Sequence, residues 1–484
     1  MNSVVLEAAR QAGLALTGMT FSSQEVRPGF AFFALKGAHV DGNNFIPQAV
    51  ANGAVLIVSA QRKPAGLAVP FVQSADIDKD MADAAYEFYG RPSDSLQMFG
   101  ITGTKGKTSI AYLLESILKT AGQKVGALGT VSYRLDGEKI CDAPNTTPAA
   151  LPLFKLLAQM KEQHAQTVVM EVSSHALELQ RVRHIWYDTA IFTNLQRDHL
   201  DFHQTFENYF QAKCKLFENL ADPHNPKPLR YAVINVDDPY GCRLAEQLRG
   251  RVHVVTFGQE HPADFQACHV QEFLTHTTFE VNGTKATIHL LGKHNVYNAL
   301  AAWAAAAANG ISQEIIVQGL AALPGVPGRM ERIDAGQNFF TFVDFAYTDE
   351  SLQRAFQTVA PFKKGKVFVV FGCGGQRDRT KRPLMGRTAC TQADRVFLTN
   401  DNPRQEDPQQ IFNDILAGMK GFSNYEIIPD RAQAIGRALA AAQKDDIVIV
   451  AGKGHENYQL VGSEKRHFSD QETVLAFLQE RGHV

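Results

Sequence analysis

Six residues, Gly103-Thr104-Lys105-Gly106-Lys107-Thr108, separate the apolar run LQMFGIT (96–102) from a stretch in which Ile110, Leu113, Leu114, Ile117 and Leu118 recur at helical spacing. A strand that runs through a glycine turn into an amphipathic helix is half of a β–α–β unit, and such units stack into mostly parallel sheets. The pattern repeats. FAFFAL (30–35) and AVLIVS (54–59) lie upstream, TVVMEV (167–172) follows, and KVFVVFG (366–372), RVFLT (395–399) and DIVIVAG (446–452) close the chain. The fold class is therefore α/β. Arg91-Pro92-Ser93 reads as a linker and Gly325-Val326-Pro327-Gly328 as a second break. They divide the 484 residues into 1–90, 91–325 and 326–484, sizes ordinary for domains. The alanine-rich stretch 299–308 reads as a buried helix.

Composition narrows the partners. Apolar residues make up 45% and charged residues 20%, and the net charge is −2. That balance gives no general attraction to nucleic acid or anionic membrane. The opening MNSVVLEAARQAG lacks a basic segment followed by an apolar core, and no run of 18 apolar residues occurs, so neither a secretory signal nor a membrane span is expected. Six cysteines form no C-x-x-C pair, as expected of reduced, mostly structural thiols in a cytoplasmic protein without a zinc site.

The loop at 103–108 has phosphate-binding chemistry. Glycines let backbone N–H groups turn toward a phosphate, and the helix N-terminus adds positive potential. Lys107 is placed to reach terminal phosphates and the Thr108 hydroxyl to bind Mg²⁺; Gly103, Thr104, Lys105, Gly106 and Ser109 complete the cradle. The strict G-x-x-x-x-G-K-[ST] pattern is not met, because Gly100 falls one position early, and a purely structural turn is the competing reading. Glu171 ends a buried strand, where a carboxylate suits Mg²⁺. By spacing alone, Asn194–Asp201 is a solvated polar loop and Lys213 a helix-surface lysine.

GITGTKGKTS (100–109), EVSSHAL (171–177), NLQRDHLDFH (194–203) and YFQAK (209–213), in that order and separation, resemble the Mur ligase family. Its members join an amino acid to a carboxylate of a UDP-linked muramoyl peptide; relatives include folylpolyglutamate synthases and cyanophycin synthetases. The resemblance implies three α/β domains: an N-terminal UDP-substrate domain, a central P-loop ATPase and a C-terminal Rossmann-like domain. It implies ATP and Mg²⁺, with Thr108, Glu171, His199 and a CO₂-carbamylated Lys213 as the metal set. Lys107, Glu171, His199 and Lys213 would be the catalytic set. Carbamylation turns a cation into an anion and needs a neutral amine first, so burial should depress the lysine pKa.

Other positions match the family one by one. Asn295, Arg329 and Asp344 fall on nucleotide positions, although Asn295 alone reads equally as a helix cap. Ser23, Ala38-His39-Val40, Asn145-Thr146-Thr147, Ser173 and Arg181 fall on UDP-peptide positions. Asp401-Asn402-Pro403-Arg404, on its own a turn signal, matches the signature of members that add meso-diaminopimelate. Arg404 can grip the distal carboxylate that lysine lacks, and Arg377, Gly452 and Glu456 should contact the same amino acid. One departure stands out: where the family has Asp-Tyr-Ala-His-Thr-Pro, this chain has Asp344-Phe345-Ala346-Tyr347-Thr348-Asp349, and tyrosine cannot become a cation near neutral pH.

The implied reaction is ATP-dependent addition of meso-diaminopimelate to UDP-N-acetylmuramoyl-L-alanyl-D-glutamate through an acyl phosphate, by a cytoplasmic monomer making peptidoglycan precursor. Two rivals stand beside it: a folylpolyglutamate synthase, and a non-catalytic nucleotide-binding regulator whose support is Tyr347.

Overall fold

A computed structural model describes residues 3–37 and 40–481. Two compact units cluster: 1–266 with 297–319, and 267–296 with 320–484.

The first unit holds two sheets. Strands β1 (Gly18–Thr20), β2 (Phe30–Ala34), β3 (Ala54–Ser59) and β4 (Phe71–Gln73) form a parallel sheet in that order. A larger sheet uses β5 (Gln97–Thr102), β6 (Val125–Leu128), β7 (Ser132–Leu135), β8 (Glu138–Asp142), β9 (Thr167–Glu171), β10 (Thr189–Phe192), β11 (Tyr231–Asn235) and β12 (His253–Gly258). Its order is β12-β11-β10-β5-β9-β6-β7-β8, parallel from β12 to β6. The order reverses at β5, which lies between β10 and β9. Such a switch point leaves a crevice at the carboxyl ends of the strands, and the 103–106 loop leaves β5 there. The helix Lys107–Thr120 buries Ile110, Leu113, Leu114, Ile117 and Leu118. Each such side chain contributes about 1.5–3 kcal/mol, which anchors the loop on a rigid base. The expected linker at 91–93 is a short helical turn, Pro92–Asp94, with Pro92 and Ser93 buried. The Ser93 hydroxyl donates to the His184 carbonyl at 3.0 Å, so this segment is packed rather than free.

In the second unit, β13 (Phe265–Glu272), which begins in the first, continues into an antiparallel meander with β14 (Thr277–Val281) and β15 (Thr284–Ile288). A six-stranded sheet follows from β16 (Glu331–Arg332), β17 (Phe340–Asp344), β18 (Val367–Phe371), β19 (Arg395–Leu398), β20 (Tyr425–Ile427) and β21 (Ile447–Ala451), in the order β16-β17-β21-β18-β19-β20. All neighbours but β16 pair in parallel. Val369, Phe371, Ile447 and Ile449 join one apolar cluster, while Phe368, Val370, Val448 and Val450 join another. Both faces are thus covered, which explains why these strands read as unbroken apolar runs. A hairpin of β22 (Tyr458–Val461) and β23 (Glu464–His467) completes the unit. Cys214, Cys373 and Cys390 are buried, but Cys141, Cys242 and Cys268 are exposed, so only half of the thiols fit the expected structural role; all six are free.

Candidate active site

Gly103 and Gly106 carry φ of 146° and 94°, a region open mainly to glycine. Space forbids a side chain as well: a Cβ on Gly103 would meet Thr193 Oγ1 at 1.8 Å, and one on Gly106 the Asn298 amide oxygen at 2.4 Å. No side chain caps the helix that starts at Lys107, which leaves its amide dipoles for a ligand. The loop is pinned from β10 outward. Thr193 Oγ1 donates to the Lys105 carbonyl (2.7 Å), Lys105 N–H to Asn194 Oδ1 (3.0 Å) and Gln196 N–H to Thr104 Oγ1 (2.9 Å). Lys105 also pairs with Asp198 at 3.2 Å, and Ser109 is buried in the first turn.

Glu171, 1% exposed, sits at the end of β9. Its carboxylate accepts from Thr108 Oγ1 (3.1 Å), Thr130 N–H (2.8 Å) and Thr130 Oγ1 (3.0 Å). Lys213 is also 1% exposed, which corrects the helix-surface reading: the helix Phe206–Leu220 turns this position inward against the loop. Its Nζ donates to the Gly103 carbonyl at 2.9 Å, and Lys107 Nζ donates to the same oxygen at 2.8 Å. Burial, then repulsion from Lys107, holds the Lys213 amine well below the usual lysine range. Its Nζ also lies 4.3 Å from the Tyr209 ring centre. His199 has a left-handed backbone, φ 53°, and half-exposed at the loop edge its imidazole is lowered by burial. His175 lies edge-on to it at 4.9 Å.

Beside Glu171, Thr147 Oγ1 donates to the Glu171 carbonyl (2.8 Å), and Ser173 N–H donates back to Thr147 Oγ1 (3.1 Å). Arg181 Nη1 donates to the Thr147 carbonyl at 3.2 Å, the Thr146 hydroxyl meets Thr130 at 3.1 Å, and the Asn145 carbonyl accepts from Tyr133 at 2.7 Å. The five central-region positions read as substrate contacts thus form one connected rim. Ser23 is bonded to Gln48 at 2.8 Å, and Val40 is exposed; Ala38 and His39 lie outside the described residues.

In the second unit the loops after β18, β19 and β21 bring Gly374–Arg377, Asp401–Arg404 and Gly452–Glu456 together. A Cβ on Gly375 would strike the Pro403 carbonyl at 1.9 Å, so glycine lets the first two loops touch. Arg404 adopts φ 55° and spends one guanidinium nitrogen on the Gly375 carbonyl (2.9 Å) and, more weakly, the Asn402 carbonyl (3.4 Å). Arg377 is exposed on the first loop. Arg382, fully buried, donates to Glu406, Asp414 and the Gly374 carbonyl, and Glu406 accepts from Gln376 N–H. That clamp ties the two arginine-bearing loops to each other. Asn402 Nδ2 donates to Glu456 Oε2 at 2.8 Å. Gly452 carries φ 116°, and a Cβ there would approach Asp401 Oδ2 at 2.9 Å.

Three nucleotide positions also fall in this unit. Asn295 Nδ2 donates to the Leu291 carbonyl (2.7 Å). The Arg329 guanidinium lies 5.5 Å from the Phe345 ring centre. Asp344 accepts from Met330 N–H at 2.6 Å, and burial pushes its carboxyl up to about 6. Tyr347 is 49% exposed, stacks edge-on to Phe345 at 4.9 Å and has Lys381 Nζ over its ring at 4.9 Å. Thr348 caps the next helix reciprocally with Ser351, and Asp349 opens it, which places an acid where it suits the helix dipole. Motif reading passed over Thr130, Tyr209, Arg382 and Lys453; of these Thr130, just after β6, and Lys453, just after β21, sat at strand ends where the parallel-sheet rule pointed.

A phosphate loop at the switch point of one parallel sheet is the geometry of a nucleotide site, and the loops of a second parallel sheet present arginines and carboxylates, a combination that fits an ATP-dependent ligase. Family models agree: residues 15–88 match the Mur ligase family, catalytic domain, 101–306 the Mur ligase middle domain, and 328–454 the Mur ligase, glutamate ligase domain. The chain belongs to the Mur ligase family. It is 42% identical to a UDP-N-acetylmuramoyl-L-alanyl-D-glutamate–2,6-diaminopimelate ligase of Bacillus cereus, over 95% of this chain and 93% of the relative. Its identity to the enzyme of the same name from Halalkalibacterium halodurans is 44%, with the same coverage. A solved structure of a ligase of that name superposes with a TM-score of 0.68 at 32% identity, over 97% of this chain and 96% of the other. Among the described residues no helix is long and apolar enough to cross a membrane.

Proposed function

We propose that this protein adds meso-diaminopimelate to UDP-N-acetylmuramoyl-L-alanyl-D-glutamate with ATP, as a cytoplasmic monomer organised as a UDP-substrate domain (1–90), an ATPase domain (91–325) and an amino-acid domain (326–484). The observation that carries the substrate choice is the Asp401–Arg404 loop. It aims a guanidinium fixed by two backbone carbonyls and sets Glu456 beside Asn402. An arginine suits a distal carboxylate, and a glutamate suits an ammonium. The names of the relatives agree with that choice.

In the reading offered here, Gly103–Ser109 cradles the ATP phosphates and Lys107 offsets charge that develops as the terminal phosphoryl group passes to the substrate carboxylate. The acyl phosphate so formed is attacked by the amine of the amino acid, and phosphate leaves. Asn295, Arg329 and Asp344 hold the nucleotide; Ser23, Ala38, His39, Val40, Asn145, Thr146, Thr147, Ser173 and Arg181 hold the UDP-peptide. Arg377, Asp401, Asn402, Pro403, Arg404, Gly452 and Glu456 hold the amino acid.

Mg²⁺ fits the donors present. Thr108 Oγ1 and the Glu171 carboxylate, 3.1 Å apart, are the hard oxygen ligands this ion prefers, and His199 stands at the loop edge. Among the described residues no three His, Cys, Asp or Glu side chains are grouped for a metal, so phosphate oxygens and water would fill the remaining positions. The ion would supply charge neutralisation at the phosphates. Lys213 suits carbamylation because its amine is buried and held well below the usual lysine range, and the modification would replace two crowded amines with an amine beside an anion. The direct test is competition: incubate the protein with ATP, Mg²⁺, the UDP-dipeptide and equal meso-diaminopimelate and L-lysine, then weigh the product. The diaminopimelate adduct should dominate; a lysine adduct overturns the substrate choice, and no adduct overturns the reaction.

A further inference from the structure

Lys453 is 0% exposed and lies between two side chains of the proposed amino-acid site. Its ammonium donates to Asn402 Oδ1 at 3.2 Å and to Glu456 Oε2 at 3.3 Å. Leu460 N–H donates to the same Asn402 oxygen at 2.9 Å. Two donors on Oδ1 settle which way the amide points, because the flipped form would set its NH₂ against an ammonium and an N–H, and its oxygen against a carboxylate. Nδ2 therefore faces Glu456 Oε2, at 2.8 Å. That carboxylate oxygen is occupied twice. The other, Oε1, has among the described residues only the Tyr458 hydroxyl, at a long 3.5 Å.

Charge counting points the same way. Asp401 and Glu456 bring two negative charges and Lys453 one positive. Arg431 and Asp470, each fully buried, cancel one another while Arg431 Nη2 holds the Ala451 carbonyl at the end of β21. With Arg377 and Arg404 left to the carboxylates of the amino acid, one negative charge remains, matched to one ammonium.

We infer that Lys453 is a positioning residue that sets specificity for the distal amino group of the amino-acid substrate. By locking the Asn402 amide and saturating Glu456 Oε2, it leaves Glu456 Oε1 as the single acceptor presented to that group. This rests on the reading that the site takes a diamino acid. Without Lys453 the Asn402 oxygen keeps only the Leu460 N–H, Glu456 Oε2 loses one of its two donors and the site carries an extra negative charge.

The test varies each substrate in turn for wild type and Lys453→Met, with meso-diaminopimelate and with 2-aminopimelate, which keeps the distal carboxylate but lacks the distal amine. The variant should raise KM for meso-diaminopimelate roughly 30-fold or more, as expected for one partner removed from a buried charged network. Its kcat should hold within about threefold, and KM for ATP and the UDP-peptide should not move. The preference for meso-diaminopimelate over 2-aminopimelate should collapse. An equal loss with both amino acids or a fall in kcat alone would overturn the inference. Should Lys453→Met fail to fold, Asn402→Asp carries the same expectation, since it sets a second carboxylate against Glu456 Oε2; an intact preference there overturns it too. If wild type uses no diamino acid at all, the reading of the previous subsection fails, and that is seen without any variant.

Discussion

Two regions of this protein handle charge in opposite ways. At the phosphate loop, Lys107 and Lys213 donate to a single carbonyl, that of Gly103, and one amine is pushed far from its normal state. Around the Asp401–Arg404 loop, the buried cations are held in place by partners: Arg382 by Glu406 and Asp414, Arg431 by Asp470, Lys453 by Asn402 and Glu456. On the proposed reading, an incoming anion or a modified lysine would complete the first region, while the second is fixed beforehand and would choose among ligands. Reactivity and selectivity would then rest on different electrostatic designs within one chain.

The contrast is broken most directly at the lysines. Lys107→Met or Lys213→Met should lower kcat on the order of 10²- to 10³-fold or more while leaving the ratio of meso-diaminopimelate to L-lysine use unchanged in steady-state assays. A loss of only a few fold at Lys213 would remove the first half of the comparison. Next comes Arg404→Lys, which should cut that ratio on the order of 100-fold with KM for ATP unaltered, because a bidentate fork is replaced by a point charge. Arg382→Met sharpens the second half: breaking a buried ion pair at one end costs roughly 3–5 kcal/mol, measurable by denaturant unfolding, and should raise KM for the amino acid by loosening both arginine loops.

The smallest effects are pH slopes. Burial lowers His203 from 6.5 to about 4, so the unfolded chain takes up a proton first as pH falls. Stability should be lost as pH drops from 6.5 toward 4. Asp344 is raised by burial from 3.8 to about 6; the unfolded chain ionises first, and stability should fall as pH climbs from 3.8 toward 6. His203→Gln should flatten the first slope and Asp344→Asn the second, each by a few degrees of melting temperature across its window.

Local pattern carried much of this in advance. The apolar runs at 30–34, 97–102, 367–371 and 447–451 fold as strands, and the amphipathic face from Ile110 to Leu118 is buried. The glycines at 103 and 106 announced a tight turn by residue type alone. What spacing could not reveal is burial created by distant packing. Lys213 looks like a surface residue until the 206–220 helix is laid against the loop. Lys453 sits in a glycine-rich turn that says nothing of the amide 51 residues earlier. Arg382, in a strongly charged segment, reads as solvated because its carboxylate partners lie 24 and 32 positions away. Long-range ion pairs leave no periodic trace in a sequence.

Phosphate release tests the central claim most directly. The protein would be given ATP, Mg²⁺ and UDP-N-acetylmuramoyl-L-alanyl-D-glutamate with meso-diaminopimelate, with L-lysine, or with no amino acid. Sustained release with meso-diaminopimelate alone is the result predicted here. Equal release in all three would mean that ATP hydrolysis is uncoupled from amide formation, and no release in any would contradict the assignment of a working ligase.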